Sequence, residues 1–210
     1  MTRGTERPAT AATPSRSVTS ADDVLDAAEA LLASGGFDQL SVRSIATRLA
    51  VSRQVVYTHF GGMGGLLDGL HRRLSSRLIA AVDAAAGDDA PVGRGTTEHI
   101  LRAAAAYRSV ARRWPELYQL VFEQPVPDHA VGDAALAEGR AAFGRIVELA
   151  DAWLACSRGT PPTNRDATEL ARAVWSATHG FVVLERVGFA SVDETDALAN
   201  RATVSMLAGW

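Results

Sequence analysis

Two long polar side chains open a short predicted helix in the first third of the chain. Ser52 occupies an N-cap position, and Arg53 and Gln54 follow it in the first turn of a helix that extends to about His59 or Phe60. A guanidinium and a carboxamide can each form two parallel hydrogen bonds with a base edge, arginine with guanine and glutamine with adenine. The chemistry that these residues offer is recognition of a duplex through its major groove.

The segment that precedes this helix has the small residues that a helix-turn-helix requires. Ala46 lies where two helices would cross, and Ala50 lies in the turn between them. Val56, ten residues after Ala46, is the apolar anchor that holds the second helix against the first. Together with polar groups placed for phosphates, this unit gives a predicted DNA-binding set of Ser41, Arg43, Ser52, Arg53, Gln54, Val56, Tyr57 and His59.

The charge distribution favours this interpretation over a plain helical hairpin. The net charge is −3, but residues 1–80 contain 9 arginines and 7 acids (+2), whereas residues 81–210 contain 12 arginines and 17 acids (−5). No acidic residue lies between Asp38 and Asp68. In the alternative hairpin, Ser41 and Ser52 are only caps, Tyr57 is half-buried and the arginines are solvated. An acid-free window suits a surface that faces phosphates.

The elements that must position these residues have helical periodicity throughout. A first helix follows Ser20 and ends at Gly35 and Gly36, and a second begins after Ser41. A fourth helix has an apolar residue every four positions, namely Leu66, Leu70, Leu74, Leu78 and Val82. Further helices are predicted over 97–114, 115–123, 133–156, 166–187 and 193–207, with loops over 86–95 and 124–132. We therefore predict an all-α fold of about nine helices.

The composition argues against several classes of protein. All 21 basic residues are arginines, so a phosphate-binding loop with its lysine and Schiff-base chemistry are excluded. The five histidines lack metal-site spacing, and Cys156 is the only cysteine. We expect no enzyme activity, no cofactor and no metal. No apolar run is long enough to cross a bilayer, and the first twenty residues lack a signal-peptide core, so we expect a cytoplasmic protein, nucleoid-associated when bound to DNA.

Residues 22–70 resemble the DNA-binding domain of the TetR family of regulators. The likeness runs from VLDAAEALLASGGFDQLSVRSIATRLAVS through VYTHF to LLDGL. It implies DNA contacts from Ser41, Tyr57, His59 and the recognition helix. Two departures stand out, because Ala50 replaces a usual glycine and Met63 replaces a usual phosphate-binding lysine among several glycines. We expect one phosphate contact fewer and a looser joint before the fourth helix.

The C-terminal half resembles a recurrent TetR-type domain named for its Trp, His and Gly. The likeness rests on RRWPELYQLVFEQPVP and WSATHGFVVLE, and it implies dimerisation around an effector cavity. Candidate pocket residues are Trp114, Tyr118, Phe122, Phe143, Trp153, Trp175 and His179, although each is equally suited to a plain core. Candidates for a four-helix dimer interface are Val182, Val183, Leu198, Val204 and Leu207.

These expectations divide the chain into three parts. Residues 1–19 form a disordered arm, residues 20–66 a helix-turn-helix domain, and residues 67–210 an effector-binding and dimerisation domain. The expected function is a ligand-responsive regulator, a homodimer that a small apolar or aromatic effector releases from a palindromic operator. The alternative is a helical ligand-binding or partner-binding dimer whose DNA head is degenerate, which the missing lysine and the glycines at positions 61–65 leave open. An all-helical enzyme has no supporting motif.

Overall fold

A computed structural model describes residues 19–85, 95–123, 126 and 129–210. Within those ranges the secondary structure is helical, without strands, as the periodicity predicts. The nine described helices are α1 (Ala21–Gly35), α2 (Val42–Leu49), α3 (Arg53–Phe60), α4 (Met63–Ala85), α5 (Thr97–Arg113), α6 (Pro115–Phe122), α7 (Asp133–Arg158), α8 (Asn164–Arg186) and α9 (Val192–Ala208). The predicted arm, except Thr19, and parts of both predicted loops lie outside the described residues.

Local sequence explains how the first two helices begin and end. The Ser20 hydroxyl accepts a hydrogen bond from the Asp23 amide, and the Asp23 carboxylate accepts one from the Ser20 amide, which is a capping box at the start of α1. Ser41 caps α2 through the Ser44 amide, as predicted. Ser52 occupies the N-cap position of α3, as predicted, although its side chain makes no capping hydrogen bond.

The turn between α2 and α3 places a non-glycine residue in a left-handed conformation. Ala50 has φ 53° and ψ 41°, and its amide donates to carbonyl groups at the end of α2. The left-handed region costs an L-residue about 1–2 kcal/mol. Alanine therefore forms the same turn that glycine would form, with some backbone strain.

The junction between α3 and α4 is tightly packed rather than loose. Gly61 ends α3 with φ 70°, a conformation that favours glycine. A Cβ atom at Gly65 would lie 1.9 Å from the backbone oxygen of Phe60, so no larger residue fits without movement. At Gly69, a Cβ atom would lie 2.9 Å from the Phe60 ring. The expectation of a looser joint is therefore wrong, because two of these glycines permit close helix packing.

Helix α4 joins the first three helices to the rest of the molecule through one continuous core. Its leucine stripe is buried, as predicted. This core also includes Val24 of α1, Val56 of α3, Leu117 and Tyr118 of α6, and side chains of α5 and α8. A second core lies between α5, α7, α8 and α9. None of the described helices combines the length and apolar character that a bilayer span requires.

Candidate nucleic-acid interface and ligand cavity

Helix α3 presents its first turn to solvent. Arg53 and Gln54 are both exposed, whereas Val56 is fully buried against the other head helices. Val56 therefore cannot contact DNA, and its inclusion in the predicted contact set is corrected to the packing role that its spacing also indicated. An anchor on one face and two free polar side chains on the other is the arrangement that a groove-reading helix needs.

The remaining predicted phosphate contacts surround α3. Arg43 and Ser52 are exposed, and Tyr57 is 49% exposed, with its ring close to Gly62. His59 is exposed too, and its Nε2 atom lies 2.9 Å from the carbonyl oxygen of Thr19. The Ser41 hydroxyl is half-buried and hydrogen bonded to Ser44, so it contributes chiefly the capped amino end of α2.

The charges of the head are separated onto two faces. Among the described residues, no ion pair involves Arg43, Arg48 or Arg53, which leaves these cations available to a partner. Three of the four acidic residues of α1 instead pair with two arginines of α4; the pairs are Arg73 with Asp22, Asp26 and Glu29, and Arg77 with Glu29. The arginines Arg43, Arg48 and Arg53 therefore remain able to pair with phosphates.

A cavity of about 460 Å³ lies in the C-terminal half, between α4, α5, α6, α7 and α8. Its wall is largely aliphatic and aromatic, with a few polar groups, and includes His71, Ser75, Leu78, Val82, Tyr107, Phe122, Arg140, Phe143, Ile146 and Trp175. A smaller apolar space of about 30 Å³ shares Val82, Tyr107, Ile146 and Trp175 with it. Pockets of this volume and lining accommodate small organic ligands.

The predicted pocket residues fall into three groups. Phe122, Phe143 and Trp175 line the cavity. Tyr118 and His179 lie behind this wall, with the Tyr118 ring 4.8 Å from Phe122 and 5.5 Å from His179, centroid to centroid.

Two tryptophans do not reach the cavity. Trp153 belongs to the second core and donates to the Thr97 hydroxyl at 3.1 Å. Trp114 stacks under Arg77, whose Cζ atom lies 4.0 Å from the ring centroid. These two predicted pocket contacts are therefore corrected to structural positions.

Sequence reasoning missed four polar wall residues, of which Arg140 of α7 is exposed to solvent. His71 and Ser75 lie one turn apart on α4, and Tyr107 lies on α5. His71 and Ser75 directly follow Leu70 and Leu74 of the buried leucine stripe. This position next to buried leucines is the signal that could have placed them beside the core. Burial lowers the pKa of His71, and the neighbouring His129 lowers it further, while Asp68 opposes the shift. His71 is therefore held towards its neutral form.

The same end of the cavity connects to the start of α4. The Gly132 amide donates to Asp68 at 3.0 Å, and His129 Nε2 lies 3.3 Å from Asp68 Oδ1, within ion-pair range but outside hydrogen-bond geometry. Val131, in the same segment, lines the cavity. One short segment therefore contacts both the cavity and the helix that follows the DNA head.

The outer faces of α8 and α9 carry exposed apolar side chains. Of the predicted interface residues, Leu198 and Val204 are exposed and Val183 is partly exposed. Val182 and Leu207 are buried within the monomer, so these two interface assignments are corrected to core positions. The structure adds Leu184, Val187 and Phe189, which the helical pattern alone did not separate from the buried side.

Family models match both parts of the chain. Residues 24–70 match the model described as bacterial regulatory proteins, tetR family, and residues 100–206 match the tetracyclin repressor-like C-terminal domain. The chain is 30% identical to the HTH-type transcriptional regulator AlkX of Mycobacterium tuberculosis, over 73% of this chain and 70% of that protein. It is 26% identical to the HTH-type transcriptional regulator Rv0681 of the same organism, over 90% of this chain and 81% of that protein.

Solved structures share the fold. A protein of Rhodococcus sp. RHA1 superposes with a TM-score of 0.74 at 25% identity, covering 90% of this chain and 93% of that one. The transcriptional regulator FadR of Bacillus subtilis, in complex with stearoyl-CoA, superposes with a TM-score of 0.65 at 16% identity, covering 90% of this chain and 98% of that one.

Proposed function

Because the chain belongs to the TetR family of transcriptional regulators, we propose that it is a repressor that leaves a palindromic operator when a small apolar or aromatic molecule occupies its cavity. Members of this family are DNA-binding regulators rather than enzymes, and they often bind ligands. The observation that carries the proposal is the exposed first turn of α3. Arg53 and Gln54 meet solvent there, within a stretch of sequence, residues 39–67, that contains no acidic residue.

The cavity supports the effector part of the proposal. A volume of about 460 Å³ with a mostly apolar wall favours a molecule that buries hydrophobic surface. FadR of Bacillus subtilis, which shares the fold, holds stearoyl-CoA. An effector among α4, α7 and α8 acts on the same helix whose first turn packs against Phe60 at the end of α3. Binding is therefore expected to shift the orientation of the head.

A homodimer supplies the second head that a palindromic operator requires. One short helix reads too few base pairs for specificity, whereas two heads about 34–36 Å apart read both halves of a site one helical turn long. Family members usually act as dimers. The exposed apolar face of α8 and α9, with Leu184 and Leu198 among its members, is the proposed interface.

Selection from random DNA, followed by a salt titration, tests the DNA-binding part. We expect a palindromic sequence and an affinity that falls steeply with salt. Arg53→Ala should weaken operator binding about tenfold to a hundredfold, since a bidentate arginine contact contributes about 1–3 kcal/mol. Arg165→Ala is the matched control, because Arg165 is 85% exposed at the start of α8 and pairs only with Glu169 among the described residues.

Two other outcomes would contradict the proposal. Equal effects of the two arginine substitutions, or no salt dependence, would indicate the degenerate head that the replacement of lysine by Met63 leaves open.

Sedimentation tests the dimer separately. Leu198→Arg should give monomers, whereas Leu136→Arg, equally exposed at 43% on α7, should leave the dimer intact.

A further inference from the structure

Four side chains, two in the cavity wall and two behind it, form a continuous chain of hydrogen bonds. Trp175 Nε1 donates to the Tyr107 hydroxyl at 3.1 Å, and that hydroxyl lies 2.9 Å from the Tyr118 hydroxyl. The Tyr118 hydroxyl in turn lies 2.5 Å from Nδ1 of His179. Tyr107 and Trp175 line the cavity, and Tyr118 is fully buried in the core that includes the DNA head. The chain therefore runs from the ligand cavity into the interior that the two halves share.

This chain has two possible proton orders. An indole nitrogen can only donate, so the Tyr107 oxygen accepts from Trp175 in both. In the first order, Tyr107 donates to Tyr118, and Tyr118 donates to Nδ1 of His179, whose proton is then on Nε2. In the second order, Nδ1 of His179 donates to Tyr118, and Tyr118 donates to Tyr107. The Tyr107 proton is then free for an acceptor that does not belong to the hydrogen-bond chain.

Both orders keep every member neutral. Burial raises the pKa of Tyr107 and of Tyr118, and burial lowers the pKa of His179. The two orders therefore differ in the histidine tautomer and not in net charge. The second order requires an acceptor in the cavity for the Tyr107 proton, because a buried hydroxyl proton without one is unfavourable. The first order is thus expected when the cavity contains no acceptor.

The cavity wall also restricts the charge of a ligand. Among the described residues that line it, none is acidic, and its arginine, Arg140, is exposed to solvent. His71 is held towards its neutral form. An ion in the interior would have no opposite charge beside it, whereas a neutral oxygen would find the Tyr107 hydroxyl. The interior therefore suits an uncharged molecule.

We propose that the cavity binds a neutral, largely apolar molecule with a hydrogen-bond acceptor, such as a ketone or ester carbonyl. This acceptor receives a hydrogen bond from the Tyr107 hydroxyl and reverses the donors of the hydrogen-bond chain as far as His179, where Nε2 releases its proton to water and Nδ1 gains one from water. This inference rests on the proposed function, because it names the effector class of the same cavity. The reversal reaches α6 through Tyr118. Leu117 and Leu120 of the same helix pack in the core shared with the head.

Benzophenone and diphenylmethane test the proposal, because they have nearly the same shape and only benzophenone has a carbonyl. Calorimetry on the 210-residue protein should show that benzophenone binds about three- to tenfold more tightly than diphenylmethane, which is the advantage expected of one hydrogen bond. Tyr107→Phe should abolish that preference. Tyr57→Phe, which changes an exposed tyrosine of the head, should retain it.

The tautomer of His179 provides a second measurement that is independent of DNA. In protein with ¹⁵N-labelled histidine, with signals assigned by their loss in His179→Gln, benzophenone should move the proton from Nε2 to Nδ1 and diphenylmethane should not. The proposal is overturned if the tautomer does not change, if Tyr107→Phe keeps the preference, or if neither probe binds. Failure to bind any selected operator would refute the regulator function and leave these ligand results standing.

Discussion

The DNA head and the cavity half use polar side chains in opposite ways. In the head, the arginine and glutamine of the α3 first turn meet solvent, and three acidic residues of α1 pair with Arg73 and Arg77 of α4. In the cavity half, the polar side chains behind the wall hydrogen bond to one another. A surface that recognises phosphates and bases must keep its donors free, whereas a buried site must satisfy its donors until a ligand arrives.

The largest expected effect concerns the joint between the two regions. Gly65→Ala places a Cβ atom 1.9 Å from the Phe60 carbonyl oxygen. We expect the free energy of unfolding to fall by about 3 kcal/mol, and DNA affinity to fall with it, because backbone must move. Gly64→Ala is the control. Its nearest neighbour is the His129 ring at 3.7 Å, so it should be neutral or stabilising in urea denaturation. Equal stability of the two variants would contradict the close packing.

Two neighbouring residues of α3 sharpen the distinction between support and recognition. Val56→Ala should lower the free energy of unfolding by about 2 kcal/mol, because it removes two buried methyl groups from the core. Tyr57→Ala should change stability by less than about 0.5 kcal/mol but weaken DNA binding, because its ring is half exposed beside the reading face. Denaturation and DNA titration of both variants measure the two quantities. The reverse pattern would show that α3 is misoriented.

The pH dependence of stability probes the cavity half. The pKa of His71 and that of His179 both lie below the ordinary value of 6.5, chiefly because of burial. The unfolded chain therefore binds more protons, so this stability is present above pH 6.5 and is lost as the pH falls. Urea denaturation between pH 7.5 and 5.5 should show the decrease, and His71→Gln should reduce its slope. A slope that the substitution leaves unchanged would contradict the buried, neutral histidine.

The smallest expected effect is a gain in stability from a substitution in the DNA head. Ala50→Gly should stabilise the protein by about 0.5–1 kcal/mol, because the strain of φ 53° exceeds the added entropy of glycine in the unfolded chain. Ala105→Gly, on the exposed side of α5, should instead destabilise by about 1 kcal/mol. Thermal unfolding distinguishes the two signs. Destabilisation by both substitutions would mean that the turn is not strained.

The two regions also differ in how far the sequence predicts them. Helical spacing and small residues predict the head because they act locally, and Val56 could be recognised as an anchor from its distance to Ala46. The cavity depends on which sides of five distant helices face one another. Of the seven predicted pocket residues, three therefore line the cavity, two lie behind its wall and two lie elsewhere. Tyr107 was missed because nothing in the sequence distinguishes it from an ordinary core tyrosine.

One double-mutant cycle tests most directly whether Arg53 reads a base. Wild-type protein and Arg53→Ala are titrated with the selected operator and with the same operator carrying 7-deazaguanine at the contacted guanine, which removes the N7 acceptor. We predict that the penalty of Arg53→Ala, about 2 kcal/mol on unmodified DNA, falls by about 1 kcal/mol on the modified DNA. An equal penalty on both DNAs, at every guanine of the operator, would contradict the account.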